Sequence, residues 1–287
     1  MMRMPTVLLF VAVLFVPGAN AQEIEQHPTP GQIYCSGLLT STPVSHDTYM
    51  ITGEESDTKI VFDQGDYVYI NRGSSQGTQE GEEFLVMRAI DNPMYINWYH
   101  RQNFDIRSLG TVWEDEGRIR VVKTLPDVSI AEVEESCDYM QRGDLVQPFE
   151  DRPSPAIKPV SHFERFAAAA GGPQGQVVMG KSFQIALGMN TVAYVSLGQA
   201  EGISQGDYLR FVRYPGRTHD VLYQTSDMAF RVEGFGSAPG SHSRENVPRE
   251  VLGEGVVLRT GPRSASVLIT FSLREIDVGD YVEVEKE

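Results

Sequence analysis

The strongest constraint on the fold of this chain is an internal repeat. Residues 68–88 and 193–213 align without a gap, and each segment carries three glycines, spaced four residues apart, followed by an acidic residue. A second pair of segments, 117–146 and 253–282, has eight identities in thirty positions. Self-similarity of this kind indicates one supersecondary unit that occurs twice. The chain of 287 residues is therefore predicted to contain two similarly built modules.

The repeated unit has the composition of β-structure. Its apolar runs are short, rich in β-branched and aromatic residues, and bounded by Gly or Pro. A Gly-acid-x-apolar pattern recurs between these runs, in which Gly can adopt a positive φ and the acid can accept hydrogen bonds from the turn. The Gly-acid pairs are Gly65-Asp66, Gly81-Glu82, Gly143-Asp144, Gly206-Asp207 and Gly279-Asp280. The prediction is an all-β chain of small barrels or sandwiches.

The same motifs carry a family resemblance. The glycine series, the Gly-Asp-x-apolar pattern and the closing Gly-Asp-Tyr-Val at Gly279–Val282 resemble the C-terminal domain of the flagellar assembly protein T family. Related SH3-like small barrels occur in exported bacterial envelope proteins, sometimes beside peptidoglycan-binding LysM modules. The resemblance implies two tandem SH3-like barrels that form an envelope-associated, non-catalytic module.

The repeat also sets the predicted domain boundaries. The first module is expected at residues 31–149 and the second at residues 175–284, with a linker at residues 150–174. The linker is rich in Pro, Ala and Gly, which is typical of a partly stiff and partly flexible connection. Phe163 and Phe166 could dock on one barrel, but we expect the two modules to fold separately.

The first 21 residues are predicted to be a cleavable signal peptide. Arg3 supplies a positive charge, Val7–Val16 is almost entirely apolar, and Ala19-Asn20-Ala21 is a cleavage pattern that ends before Gln22. The alternative is a short membrane anchor, but about ten apolar residues are too few to cross a bilayer. The expected location is therefore the periplasm or cell envelope. No later stretch is apolar enough to span, so no membrane span is expected.

An exported chain can form disulfides, which bears on its two cysteines, Cys35 and Cys137. Aligning residues 31–35 with 175–179 places Cys35 over Met179, and Cys137 falls over Leu273. We therefore expect both cysteines in the first and last strands of a closed barrel, where they would be bonded to each other. The alternative is a pair of buried free thiols.

Net charge and motif context restrict the classes of function. The chain has 24 basic and 39 acidic residues, a formal charge of −15, which leaves no electrostatic route to nucleic acid or anionic lipid. Gly73-Ser74-Ser75-Gln76-Gly77 matches the nucleophile elbow of serine hydrolases, but the repeat explains its glycines and places Ala200 at the position of Ser75. No catalytic residue is predicted. The alternative is an envelope hydrolase or carbohydrate-active protein that uses carboxylates near the loops.

Metal and cofactor binding have weak sequence support. The six histidines are scattered, and no phosphate loop or dinucleotide fingerprint is present. Two acidic clusters could hold a divalent ion, but solvated surface is the preferred interpretation for both. They are Glu114-Asp115-Glu116 and the group of Glu132, Glu134 and Glu135. Neither a metal nor a cofactor is predicted.

An insert of the first copy, residues 91–109, is the candidate segment for partner binding. The candidate contact residues are Tyr95, Trp98, Tyr99 and Arg101, since Tyr, Trp and Arg often anchor interfaces. Local core is the favoured interpretation, in which Trp98 and Tyr95 close the open end of the barrel, and partner binding is the alternative. The favoured function is a non-catalytic adaptor that contacts protein, glycan or peptidoglycan through such loops.

Overall fold

A computed structural model describes residues 26–90, 97–159, 163–215, 231–232, 235–236 and 248–285. The predicted signal peptide and Tyr95 lie outside the described residues. The described chain consists mostly of β-strands with two short α-helices, so the all-β prediction is confirmed at that level. The helices are α1 (Pro30–Tyr34) and α2 (Gln102–Leu109). No helix in the described ranges has the length and hydropathy needed to cross a membrane.

The first half of the chain forms an antiparallel sheet. Its strands are β1 (Leu38–Thr40), β2 (Met50–Gly53), β3 (Val61–Phe62), β4 (Tyr67–Ile70), β5 (Glu83–Ile90), β6 (Thr111–Thr124), β7 (Ser129–Ser136), β8 (Met140–Gln141) and β9 (Leu145–Pro148). The main order is β2-β4-β7-β6-β5-β9, with β1 added beside β6 and the short β3 paired with β8. An isolated bridge between Tyr49 and Leu145 brings the two edges of the sheet together.

The second half has ten strands in the described residues, six of which form a closed barrel. Its strands are β10 (Gln174–Gly180), β11 (Ala186–Leu187), β12 (Val192–Val195), β13 (Tyr208–Arg213), β14 (Arg231–Val232), β15 (Phe235–Gly236), β16 (Glu250–Thr260), β17 (Ala265–Ser272), β18 (Ile276–Asp277) and β19 (Tyr281–Val284). The barrel order is β10-β12-β17-β16-β13-β19, which repeats the order of the first sheet strand for strand. Even the register shift between β2 and β4 recurs between β10 and β12.

The Gly-acid pairs form the turns that the sequence predicts. All five glycines have φ between 88° and 105°. In each pair, the carboxylate accepts a hydrogen bond from the backbone N–H three residues earlier, as Asp144 does from Gln141 at 2.7 Å and Asp280 from Asp277 at 2.7 Å. The remaining three acceptors are Asp66, Glu82 and Asp207. This geometry closes a turn and starts the next strand, which explains why the pattern punctuates both copies.

Cys35 and Cys137 form a disulfide with a Cα–Cα distance of 5.4 Å, so the predicted pairing is confirmed. The expected positions in the first and last barrel strands are both wrong, because Cys35 follows helix α1 and Cys137 follows β7, while the last strand of this half is β9. Met179 pairs with Tyr194 in the second half, and the equivalent pair in the first half is Thr52 with Tyr69. Thr52, and not Cys35, is therefore the counterpart of Met179. The disulfide therefore does not close a barrel. It ties the segment that precedes the barrel to the end of β7.

We expect loss of the disulfide to destabilise the protein. The crosslink joins residues 102 positions apart, and closing a loop of that length contributes at most about 4.7 kcal/mol in the chain-entropy model. Intact mass should show two hydrogens fewer than in the reduced protein, and Cys137→Ser should lower the denaturant midpoint. Free thiols on both cysteines in protein purified without reductant would contradict the pairing.

The two halves share an apolar core, which the prediction of separately folding modules did not anticipate. Leu39, Leu109 and Val112 from the first half pack in one buried cluster with residues of the second barrel. The second-half members are Val178, Met179, Val192, Tyr194, Val256, Leu258 and Leu268. The hydroxyl of Ser266 donates to the carbonyl of Gly37 at 2.8 Å, so polar contacts reinforce the same seam. Each half removes apolar surface of the other from water.

The predicted linker is also packed against the second barrel. Ala167 is buried with Val212 and Val251, and Phe163 packs on the same cluster. The N–H of Val251 donates to the carbonyl of Arg165 at 2.7 Å, so the segment lies along the start of β16. The docking of Phe163 is therefore confirmed, whereas Phe166 is exposed.

Substitution of Gly37 tests the packing between the two halves. This glycine has a φ of 62°, and a Cβ there would collide with the Tyr194 hydroxyl and lie 2.9 Å from the carbonyl oxygen of Trp113. We expect Gly37→Ala to lower the free energy of unfolding by about 2 kcal/mol or more, because both the backbone and the packing oppose it.

Gly31→Ala is the matched control, since nothing lies within 4 Å of a Cβ at that position in helix α1. Denaturant unfolding of the two variants should separate them clearly. Equal stabilities would contradict the tight packing of Gly37 against the second barrel.

Candidate functional site

The aromatic insert of the first half packs onto the second barrel. Tyr99 is 4% exposed and belongs to the core cluster of that barrel. A Cβ at Gly279 would lie 3.2 Å from the Cβ of Tyr99, so the glycine leaves room for the ring. The side chain of Gln102 donates to the carbonyl of Val178 at 2.8 Å. Tyr99 is therefore an intramolecular anchor and does not present its ring to an external partner.

The other predicted contact residues have different environments. Trp98 is half-buried and packs against the same cluster as Tyr99. It therefore contributes to core, as the favoured interpretation predicted, but in the barrel of the other half. Arg101 is exposed and stacks over the ring of Phe104 at 4.5 Å. Phe104 itself is 59% exposed. Of the predicted residues with a described position, Arg101 is exposed, Trp98 is partly exposed and Tyr99 is buried.

The acidic triplet on β6 is buried, so the interpretation of a solvated face is wrong for it. Glu114, Asp115 and Glu116 are each at most 7% exposed. Within the described ranges, no group of His, Cys, Asp and Glu side chains has an arrangement that could hold a metal ion. Positively charged and backbone groups surround these carboxylates instead.

Asp115 lies at the centre of a charge cluster between the two halves. Its side chain has no exposed area, and it accepts a hydrogen bond from the N–H of Gly37 at 2.8 Å. Arg152 binds both of its oxygens, at 3.0 and 3.1 Å. Arg259 of the second barrel approaches the same oxygens through Nη1, at 3.4 and 3.2 Å. Two guanidinium groups therefore share one carboxylate.

A cleft of about 500 Å³ opens beside this cluster. Its lining includes apolar residues from both halves and both of the arginines that bind Asp115. The apolar residues include Leu38, Val44, Leu85, Met87 and Leu258. The volume falls in the range of small-molecule and peptide-segment sites, and such sites favour domain interfaces. This cleft is the candidate binding site of the protein.

The two arginines differ in how fully they are paired. Arg152 also donates to the carbonyl oxygens of Ile33 and Tyr34, at 3.1 and 3.2 Å. In the described chain, Arg259 makes hydrogen bonds through Nη1 alone, while its side chain is four-fifths buried. Burial lowers the pKa of Arg259, and the charge of Asp115 opposes that change. No atom of Arg259 is among the buried side-chain atoms without a partner, so its remaining donors reach solvent at the wall of the cleft.

Sequence reasoning missed both arginines, although the repeat held a signal for the cluster. Asp115 occupies the position that Val251 has in the second copy, and Arg259 corresponds to Lys123. A charged residue at a position that is apolar in the other copy indicates a role that only one of the two copies has. Arg152 had no such signal, because it lies in the segment that was interpreted as a linker.

A second buried pair is common to both copies. Arg88 binds both oxygens of Asp144, at 2.7 and 2.8 Å, and Arg213 binds both oxygens of Asp280, at 2.7 and 2.6 Å. Bidentate pairs of this kind hold the last barrel strand against its neighbour with defined geometry. The pairs are structural, since they recur at equivalent positions of both halves.

Glu116 adds an extra carboxylate to the first of these pairs. One of its oxygens lies 3.4 Å from Nη1 of Arg88, and the other is buried without a hydrogen-bond partner. The second copy has the fully buried Leu252 at this position. Burial raises the pKa of Glu116 from 4.5 to about 8, with Arg88 opposing and Asp144, Asp138 and Glu114 adding to the rise.

We expect the stability of the protein to depend on the protonation of Glu116. Its carboxyl holds a proton in the folded protein at neutral pH but is ionised in the unfolded chain, so the folded state binds more protons. The stabilisation is fully present below pH 4.5 and is lost as the pH rises through about 8.

Denaturant unfolding across this pH range should show that Glu116→Gln removes the fall in stability, because the amide stays neutral. Glu132→Gln on β7 is the control and should keep the wild-type pH profile. An unchanged profile in Glu116→Gln would contradict the assignment.

The Gly-x-Ser-x-Gly motif forms a 3-10 turn. Ser74–Gln76 is a single turn that ends at Gly77, with a φ of 86°, and the exposed Ser75 donates its backbone N–H to the carbonyl of Pro126. Gln199–Glu201 forms the same turn in the second copy, with Ala200 donating to Pro262. The glycines therefore serve backbone geometry in both copies, as the repeat predicted.

No protein-family model matches this chain, and no curated protein matches it either.

Proposed function

We propose that this chain is an exported, non-catalytic binding or adaptor protein of the bacterial cell envelope, built from two SH3-like barrels. The leader-like N-terminus and the resemblance to the flagellar assembly protein T family motivate the envelope location. A disulfide between Cys35 and Cys137 fits an oxidising compartment, since cytosolic thiols are kept reduced. The signal peptide, the periplasmic location and the SH3-like assignment are parts of this proposal.

The observation that carries the binding role is the cleft between the halves. It combines apolar walls with two guanidinium groups that share one buried carboxylate. Half of its lining residues are polar or charged, and fixed polar groups of this kind orient a ligand in a binding site. Because both halves and the connecting segment contribute, the cleft exists only when the whole chain is folded.

The hydrolase alternative has less support from the same geometry. In the triplet on β6, which that alternative would use, the side chain of Asp115 is fully buried under two arginines and cannot reach a substrate. Glu114 accepts a backbone hydrogen bond from Ser182 at 2.9 Å and is also buried. We therefore favour binding over catalysis.

Site-specific photo-crosslinking tests the binding role on the intact, oxidised protein. A crosslinking residue at Val44, which lines the cleft, should give a discrete adduct with a component of envelope fractions from the source cells. The same residue at the exposed Lys123, away from the cleft, should not.

Pro43→Trp, introduced together with the crosslinker at Val44, is the matched blocking variant. Pro43 is an exposed lining residue, so the added ring should occlude the cleft without disturbing the core. No adduct at Val44, or an equal adduct at Lys123 or in the blocked variant, would overturn the proposed role of the cleft.

A further inference from the structure

We infer that the first half of the chain carries a self-association surface, through which two copies of this chain pack as a symmetric dimer. The surface is the outer face of the sheet that β2, β4, β7 and β6 form. This inference goes beyond the proposed function and does not depend on the cleft. It follows from the repeat, because the equivalent face of the second barrel is buried within the chain.

The outer face of the second barrel is covered by the first half. Its apolar side chains belong to the buried cluster that contains Leu39 and Leu109. The strand registers identify the first-half counterpart of each covered residue: Ile51 corresponds to Val178, Tyr67 to Val192, Tyr69 to Tyr194 and Val122 to Leu258. One face of the repeated unit is therefore buried in the second copy and open in the first.

The open face keeps apolar side chains in contact with solvent. Ile130 of β7 pairs with Tyr69 of β4 on one side and borders the bulge at Val122 of β6 on the other, so the apolar side chains are neighbours. Three residues of this face are 38–39% exposed: Ile51, Tyr67 and Val122. Aromatic and β-branched side chains that share one sheet face pack well against a similar surface, and covering them gains the free energy of burying apolar area.

The open face is not built to accept a strand such as β1. In the second barrel, the hydroxyl of Ser264 donates to the carbonyl of Leu39, whereas the first copy has Val128 at that position, which has no side-chain donor. A Cβ at Gly261 would lie 3.0 Å from the same carbonyl oxygen, and the first copy has Leu125 there. The open face therefore favours an occupant that presents side chains, as the face of another sheet does.

The charges of the open face are self-complementary. Arg120 and Glu132 are paired across β6 and β7, at the positions of Val256 and Leu268 in the second copy. Arg120 forms ion pairs with carboxylates on both neighbouring strands, and its side chain is still 42% exposed. Because opposite charges lie side by side, a two-fold axis between them brings Arg120 of each copy against Glu132 of the other. A second copy of this chain thus matches both charges at once.

Sedimentation equilibrium of the intact, oxidised protein tests the inference. The apparent mass should rise from the monomer value towards twice that value across the micromolar concentration range. The formal charge of −15 opposes association, so the measurement is made at physiological salt, where exposed charges more than about 8 Å apart are largely screened.

Val122→Glu should raise the dissociation constant of the dimer about tenfold or more, because it places a charge in the apolar contact. Val61→Glu is the matched control, since Val61 on β3 is 41% exposed and its counterpart in the second copy, Ala186, is exposed and outside the covered face. The control should keep the wild-type dissociation constant within about twofold, as surface changes away from a contact have small effects.

Arg120→Glu and Glu132→Arg test the two-fold arrangement. Each variant alone should stay monomeric, because like charges then meet across the axis, whereas an equimolar mixture should form a mixed dimer in which opposite charges meet again. Both side chains are partly exposed, so neither change disturbs the core. The mixing experiment stays decisive even if Val122→Glu fails to fold.

Three results would overturn the inference: a monomer at every concentration, an unchanged dissociation constant in Val122→Glu, or no mixed dimer. A monomer would show that the open face is a solvated end of the repeat, as the polar outer faces of terminal repeats are. The crosslinking test of the cleft is independent of this outcome. Lys123 adjoins Val122, so a crosslinker there should join two copies of this chain, and the mass of that adduct distinguishes it from an adduct with an envelope component.

Discussion

The packing of first-half elements on the outer face of the second barrel is the constraint on which the rest of the structure depends. Leu39 from β1 and Leu109 from α2 cover Tyr194 and Leu268, which would face water if the second barrel stood alone. Burial of this face converts two copies of one unit into a single body. It also creates the seam in which the charge cluster and the cleft are found.

The charge cluster is a consequence of that packing. The packing of the halves places Asp115 against Arg259 of the second half and Arg152 of the connecting segment. Removing one member of a buried ion cluster usually costs more than the cluster contributes to stability, so such groups are retained where they fix a geometry. Here the cluster aligns the two halves around the cleft, and it places the partly paired Arg259 in the wall of that cleft.

Several features could be predicted from the sequence because they are local. The Gly-acid turns depend on one positive φ and one hydrogen bond over three residues, and Gly279-Asp280 forms the same turn as Gly143-Asp144. The repeat and the β-rich character follow from patterns within each copy. The disulfide partners were predicted, but the reason given for them was not correct, because Cys35 follows α1 instead of lying in a barrel strand.

The sequence by itself determined the strand pattern, its duplication and the turn glycines, since short-range backbone geometry and alternating apolar residues decide them. Only the tertiary structure decided which surfaces are buried. Tyr99, predicted to contact a partner, is instead held inside the second barrel, and Asp115, predicted to be solvated, is instead enclosed by two arginines. The physical reason is that burial is a property of two surfaces that meet, and the residues that meet at this seam are far apart along the chain.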